Sequence, residues 1–581
     1  MGKSLAILRL ICAVAAIVLT MQSCEKSEGY EKGGDAITWQ QIETQSVLAA
    51  ASSVEFAFMT REAWTASSDD PAMLTIRTAS SGDKGRNNMT VSVSENTTGK
   101  ERTAHIIITV EGYEPEVLLT VTQSYTNHSD YKTNQQSDAY LSEYYLWNDE
   151  YNSLSRDLSQ DYDDFVFNTL FSMKTNTEDG GTYSDGTRYL YSFIDRSPSS
   201  RSVLPKTAEV SFGFVNLTLL KFSNVEGVFG FAVQGVYPDS PAARAGIVRG
   251  DIIAQWNDAN ITASNYVDVF YTLLSPAAAD KASFKLNVEN AKTITLTAES
   301  INLNPVLHAE VIGRGESKIG YLVYSDFEAS FDDELLAEIR KFKDEGITDM
   351  VLDLRINGGG HVISAQMLSS IIAGERGNGK DCLRYEYNKS RMQKMGYSYP
   401  DNMESLKFGP DAAPNGQISI YSKSDYLSLS RLYVLVSGST ASASELTFTA
   451  LRGIDFPVTL IGLRTEGKNV GMEPKTFSED GYDYEFYPIT FKYYNAKNET
   501  CDPAGTQPNH LVDDWNGGYA DWGGEDDPML AKAIELITQE TKEAAVESRA
   551  AGYANRMEIV PAPKFRNPHR RGGLIAPARE N

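Results

Sequence analysis

The chain has 581 residues, room for several domains at about 150 residues each, and 41% hydrophobic content is enough for ordinary cores. Its net charge of −25 and pI near 4.8 argue against nucleic acid as a partner, because phosphate binding draws on clustered Lys and Arg. The acidic surplus serves solubility through mutual repulsion.

In chain order, Lys3 and Arg9 begin a basic start, and Leu10 to Met21 is largely apolar. The run is shorter than the roughly 20 residues of a spanning helix and reads as a targeting segment. Met21-Gln-Ser-Cys24 closes it and resembles a bacterial lipoprotein signal. That resemblance implies cleavage after residue 23 and lipid on the Cys24 thiol. The chain would then sit in the cell envelope as an outer-membrane lipoprotein, on a face the sequence leaves open. The alternative is a plain secretory signal with an incidental cysteine. Cleavage leaves Cys24, Cys382 and Cys501; the last two could pair in an oxidising compartment. Without a Cys-x-x-Cys, no structural zinc is expected.

Residues 24–36 read as a polar linker and 37–125 as an all-β sandwich. Strand candidates Val54–Met59, Met89–Val93, His105–Val110 and Val117–Gln123 are separated by turn clusters such as Ser80-Ser-Gly-Asp-Lys-Gly85. Trp64-Thr-Ala-Ser-Ser68, Asn96-Thr-Thr-Gly-Lys-Glu-Arg102 and Val121-Thr-Gln123 resemble a BACON domain, which implies a spacer or a glycan-binding unit. Residues 129–200 read as helical, with Tyr140–Tyr151 apolar at helical spacing and its aromatics serving as core.

Residues 207–300 return to strands. Val210-Ser-Phe-Gly-Phe214 and Asp239-Ser-Pro-Ala-Ala-Arg-Ala-Gly-Ile-Val-Arg-Gly-Asp-Ile-Ile253 resemble a PDZ domain. Such domains add a peptide as a strand and hold its carboxylate on backbone N–H groups. The resemblance implies Phe212, Gly213 and Phe214 as the carboxylate loop; otherwise these are strand residues of a degenerate copy.

Residues 305–540 alternate strands (Ile319–Tyr324, Met350–Leu354, Arg431–Val436, Val458–Ile461) with helices (Phe331–Lys343, Val362–Ala373), as an α/β core does. Leu352-Asp-Leu-Arg-Ile-Asn-Gly-Gly-Gly360 runs from a strand through three glycines into a helix. Its N–H groups can meet a developing oxyanion, or it is a turn without chemistry. No Gly-Lys-Ser/Thr follows, so it is not a P-loop. Val434-Leu-Val-Ser-Gly-Ser-Thr-Ala-Ser-Ala-Ser-Glu445 places Ser442 at a helix start, with Lys468 26 positions on (468 − 442). A lysine can serve such a serine as base without any histidine. Taken alone, Ser442-x-x-Glu445 is equally a capping box, and Lys468 a surface lysine. Residues 541–581, with Lys564, Arg566, Arg570, Arg571 and several prolines, read as a disordered basic tail.

These motifs, with Gly505-Thr-Gln-Pro-Asn-His510 and Glu525-Asp-Asp-Pro-Met-Leu530, resemble the C-terminal processing peptidases of family S41 across about residues 130–540. The resemblance implies a ClpP/crotonase-like α/β core that acts as a serine endopeptidase on unfolded or C-terminally exposed polypeptides. Ser442 would be the nucleophile, Lys468 the general base, and the N–H groups of Gly359 and Ala443 the oxyanion donors; no cofactor is implied. Ser444 is the competing assignment for the nucleophile. The chain departs from the family at Gly358, where a proline is usual, at Met472, where glutamine is common, and by one extra residue between serine and lysine. A triad through His361 lacks the Gly-x-Ser-x-Gly elbow, and no His-Glu-x-x-His suggests zinc. The rival reading is a non-catalytic peptide- or glycan-binding lipoprotein on a peptidase scaffold.

Overall fold

The computed structural model describes residues 36–47, 52–94, 96, 100–123, 129–183, 186–198, 208–223, 225–287, 291–412, 420–515, 518–539, 557–560 and 574–575. The signal segment, Cys24 and most of the linker lie outside them. Two compact units divide the chain, Met1–His128 and Ser129–Asn581.

The first unit is a β-sandwich. One sheet orders Ile37–Gln40, Ser52–Thr60, Gly85–Val93 and Leu74–Ile76; the other orders Thr44–Val47, Glu116–Gln123, Arg102–Val110, Trp64–Ser68 and Ser81–Gly82. Along Arg102–Val110, Ala104, Ile106, Ile108 and Val110 are buried and alternate with more exposed residues. This period-two pattern gives each sheet one apolar face to cover. Phe58 meets Trp64 edge-on at 4.9 Å between ring centroids.

The second unit opens with helices Ser129–Tyr144, Asn148–Tyr151 and Tyr162–Phe171. The helix expected through Tyr140–Tyr151 is interrupted, because the Leu146 N–H donates to Ile489 O at 3.0 Å instead of continuing the ladder. Leu141, Tyr145, Phe165 and Leu170 join Tyr484, Phe486 and Met472 in one core, as expected of these aromatics.

Residues 208–302 form a separate β module. Strand Phe214–Phe222 pairs antiparallel with Val228–Val236, and the sheet continues through Ala259–Thr262, Ile252–Trp256, Lys281–Leu286 and Lys292–Thr297. Ser240 caps the short helix Pro241–Arg244, accepting from the Ala243 N–H at 3.1 Å, and Pro241 starts it. A longer helix, Tyr266–Leu274, packs on the sheet.

The α/β core has two six-stranded sheets. The first orders Val306–Arg314, Ser317–Tyr324, Asp349–Asp353, Leu432–Val436, Val458–Gly462 and His510–Leu511, parallel from the second strand onward. Asp349–Asp353 and Leu432–Val436 are wholly buried, as central parallel strands are. The second orders Gly360–His361, Leu574–Ile575, Val470–Met472, Ile489–Tyr494, Asp381–Tyr387 and Glu404–Lys407. Helices Val362–Ala373 and Ala443–Gly453 share one core with strands of both sheets. The segment read as a disordered tail therefore contributes two strands, Met557–Ile559 and Leu574–Ile575, each recruited by an open sheet edge. Among the described residues no helix is long and apolar enough to cross a membrane.

Candidate active site

Strand Leu432–Val436 delivers the serine loop. Thr440 Oγ1 donates to Leu354 O at 2.8 Å, and Ala441 N–H donates to Asn357 O at 3.2 Å, tying the loop to the end of the neighbouring strand. Ser442 follows as N-cap of helix Ala443–Gly453, with φ 64° and ψ −115°. A non-glycine residue held there costs about 1–3 kcal/mol and persists only when its surroundings dictate it. Glu445 supplies that constraint by accepting from the Ser442 N–H at 3.0 Å, one arm of the expected capping box. Ser442 is fully buried, and its Oγ has no hydrogen-bond partner among the described residues. Ser444 differs: its Oγ donates to Asn357 Oδ1 at 2.9 Å. Geometry therefore leaves only Ser442 of the pair with an uncommitted hydroxyl.

Lys468 lies on the loop between strands Val458–Gly462 and Val470–Met472 and is also fully buried. Gly467 precedes it at φ 95°, where a Cβ would lie 2.5 Å from Pro503 O; only glycine fits. Glu445 holds this loop as well, accepting from Lys468 N–H at 2.8 Å, Gly467 N–H at 3.0 Å and Thr465 Oγ1 at 2.6 Å. One carboxylate thus clamps the serine and lysine loops together, a role the capping-box spacing revealed only in part. Burial raises the Glu445 pKa to about 7 against the pull of these four bonds.

The Lys468 ammonium makes no hydrogen bond among the described residues and lies 4.6 Å from the Tyr191 ring centroid. Burial lowers its pKa to about 8, with the charges of Asp179, Glu466 and Glu445 working in the opposite direction. Met472 is buried in the adjoining apolar core, and the lysine is flanked by the aromatic face of Tyr191. Tyr191 had no signal in the sequence beyond its place in an aromatic segment. Asp179 fixes it by accepting from the N–H groups of Tyr191 at 3.2 Å and Ser192 at 2.9 Å.

The glycine loop abuts the serine. A Cβ on Gly359, at φ 121°, would lie 2.7 Å from Ser442 Cβ. The expected role of Gly359 as an open N–H donor needs correction for this conformation, because that N–H donates to Asn357 Oδ1 at 2.8 Å. Ala443 sits at the first helical position, where the N–H has no intrahelical acceptor. His361 is not part of a triad here: its Nδ1 lies 3.1 Å from Phe327 O and 4.0 Å from Glu328.

Behind the loop is a buried ionic hub that the sequence reading missed. The Arg355 guanidinium pairs with Asp353 at 2.7 Å, Asp514 at 2.6 Å and Asp527 at 2.7 Å. Asp514 also pairs with Arg249 of the β module, and Asp527 caps helix Pro528–Thr538. Three carboxylates neutralise the desolvated arginines and fix the strand end from which the glycine loop departs.

In the β module, Phe212, Gly213 and Phe214, expected as a carboxylate loop, lead into strand Phe214–Phe222. Phe212 and Phe214 are core side chains, and the Gly213 N–H donates to Ser211 Oγ at 2.9 Å. A Cβ at Gly213, φ 102°, would lie 2.1 Å from the Ser240 side chain. Cys382 and Cys501 are buried and unpaired.

Residues 318–512 match the model of peptidase family S41, and residues 63–124 match BACON, described as a binding domain. A carboxyl-terminal-processing protease of Picosynechococcus sp. is 28% identical over 314 residues, covering 52% of this chain and 66% of that protein. The chloroplastic carboxyl-terminal-processing peptidase 1 of Arabidopsis thaliana is 24% identical over 262 residues, 44% of this chain and 47% of that protein. This chain thus spans two thirds or less of the length of these relatives. The crystal structure of a Bacteroides fragilis protein assigned to the S41 proteases superposes with a TM-score of 0.55 at 23% identity, covering 70% of this chain and 97% of that one. That likeness shows a shared fold.

Proposed function

We propose that this chain, which carries a peptidase family S41 domain behind a BACON domain, is a serine endopeptidase with Ser442 as nucleophile and Lys468 as general base. The observation that carries the reading is a pair of fully buried polar groups, Ser442 Oγ and Lys468 Nζ, without partners among the described residues. They stand on two loops clamped by Glu445. Unpaired buried polar groups cost stability, and a serine hydroxyl and a lysine amine in that state on two joined loops call for an explanation that the dyad supplies. A lysine titrating near 8 is neutral in a useful fraction at physiological pH.

In the proposed reaction, neutral Lys468 accepts the Ser442 proton as Oγ attacks the scissile carbonyl. The Ala443 N–H at the helix start receives the oxyanion, aided by the helix dipole. Gly359 joins it when its N–H leaves Asn357. Protonated Lys468 returns the proton to the departing amine, and water hydrolyses the acyl-enzyme. Substrates are unfolded or C-terminally exposed polypeptides, in keeping with the relatives being carboxyl-terminal-processing proteases. The module at 208–302 acts as a PDZ domain that adds peptides to a sheet edge. The N-terminal motif supports a lipid anchor on Cys24, placing the chain in the cell envelope at the outer membrane, and the BACON domain supports glycan binding.

The engaged Gly359 N–H favours one second reading, a binding protein on an inactive scaffold. A fluorophosphonate probe separates the two. Labelling of the wild type that is lost in both Ser442→Ala and Lys468→Ala establishes the dyad; no labelling at any pH from 6 to 10 of either the well-folded full chain or its Ile575→Pro variant refutes it.

A further inference from the structure

Two short strands of the segment after the core pair with strand edges of the β module and of the core. Met557–Ile559 pairs antiparallel with Leu220–Phe222, on the edge of strand Phe214–Phe222 opposite Val228–Val236. The register sets Met557 against Phe222 and Ile559 against Leu220, and the Val560 N–H donates to Leu219 O at 3.0 Å. The segment therefore runs toward the Phe212-Gly213-Phe214 loop. Met557 is buried against Leu220 and Phe222, and Val560 packs on the core that contains Phe214 and Leu219. This is strand addition at a peptide-binding edge, carried out by the chain on itself.

Further along, Leu574–Ile575 enters the second sheet of the core between two strands that flank the proposed dyad. Leu574 is in parallel register with Gly360, and Ile575 with both His361 and Met472. Gly360 directly follows the glycine that abuts Ser442. Met472 ends the short strand Val470–Met472, which begins two residues after Lys468. A strand between these two edges completes the sheet. Neither edge has another strand partner there among the described residues.

We infer that the strands Met557–Ile559 and Leu574–Ile575 are internal competitors, the first on the edge of the β module and the second between the strand edges that flank Ser442 and Lys468. The inference rests on the proposed function for the identity of the cleft. Its ligand is an extended apolar polypeptide, here the chain's own Leu574–Ile575, recognised through backbone hydrogen bonds. A polypeptide substrate must displace this strand before it reaches Ser442. Linked in cis, the segment competes at an effective concentration in the millimolar range, so weak intrinsic affinity is enough to block the cleft.

The test needs no catalysis. Three Ser442→Ala proteins are compared: the full chain, the full chain with Ile575→Pro, and a chain ending at Gly573. Proline removes the Ile575 N–H and weakens strand pairing. The probe is a fluorescein-labelled peptide copying residues 568–581, its binding read by anisotropy. The expected result is binding at least about fivefold tighter to the Ile575→Pro and shortened proteins than to the full chain. Equal affinity for all three, or no binding to the shortened protein, overturns the inference. If the shortened protein fails to fold, the Ile575→Pro comparison decides alone. Fluorophosphonate labelling of the corresponding Ser442 proteins reports separately on the dyad. Faster labelling on release of the strand supports both readings. Absent labelling with the expected binding difference refutes the peptidase reading while leaving the competitor standing.

Discussion

The pH dependence of Ser442 reactivity follows from the setting of Lys468. With a pKa near 8, its neutral fraction is roughly 1% at pH 6, 10% at pH 7, 50% at pH 8 and 90% at pH 9. Through Lys468 alone, the second-order rate of fluorophosphonate labelling would rise about tenfold from pH 6 to 7 but less than about twofold from pH 8 to 9. Glu445 adds a second limb. Its pKa is near 7, so below that value protonation weakens its hold on the N–H groups of Ser442, Gly467 and Lys468, and the acid side should be steeper than tenfold per unit. The charge of Glu466 raises the Lys468 pKa, so Glu466→Gln should move the Lys468 limb to lower pH. The assay is labelling rate against pH for wild type and Glu466→Gln, with fold checked by circular dichroism at each pH. A wild-type rate that is flat from pH 6 to 9, or that still climbs tenfold per unit above pH 9, refutes the assignment of a desolvated lysine base. So does an alkaline shift in Glu466→Gln.

Three further outcomes are expected. Lys468 titrates lower in the folded chain, near 8, than its ordinary value of 10.5; folding is therefore penalised fully below pH 8, by on the order of 3 kcal/mol, and the penalty fades as pH rises to 10.5. Lys468→Met should abolish labelling yet raise urea resistance at pH 7, with the gain shrinking above pH 8; a variant less stable than wild type at pH 7 contradicts this. Glu445→Gln replaces a carboxylate that accepts four bonds with an amide that turns donors toward backbone N–H groups; a loss of about 2–4 kcal/mol in urea unfolding is expected together with loss of labelling, and a change under about 1 kcal/mol with normal labelling would remove the clamp. Gly359→Ala, which puts a Cβ 2.7 Å from Ser442 Cβ at a φ of 121°, should slow labelling by about 10²-fold with unchanged circular dichroism; a near-normal rate would show that the glycine loop can move aside.

Much of the architecture was legible because short-range patterns set it. The alternation in Arg102–Val110 specifies a strand with one buried face, and the apolar run Leu432–Val436 specifies a buried parallel strand. Ser240-Pro241 announces a helix start, and the helix begins there. The interruption after Tyr144 was not legible, because it depends on an acceptor at Ile489 far along the chain. The two short strands within the tail were not legible for a related reason. Its composition is that of a segment unable to bury its own surface, whereas Met557–Ile559 and Leu574–Ile575 gain order from edges supplied by other strands.

The site divides along the same line. Sequence alone singled out the candidate residues, since a serine at a strand-to-helix turn, a glycine-flanked lysine and a glycine loop are local signals. Tertiary structure decided which of them are poised to act. It left the Ser442 hydroxyl uncommitted while binding that of Ser444, occupied the Gly359 N–H with Asn357, and brought Tyr191 over Lys468. It also made Glu445 a clamp and Arg355 a hub. The physical reason is that burial and hydrogen-bond partnership belong to the packed molecule: they set the lysine's pKa and the serine's freedom, and they arise from chain segments that only folding brings together.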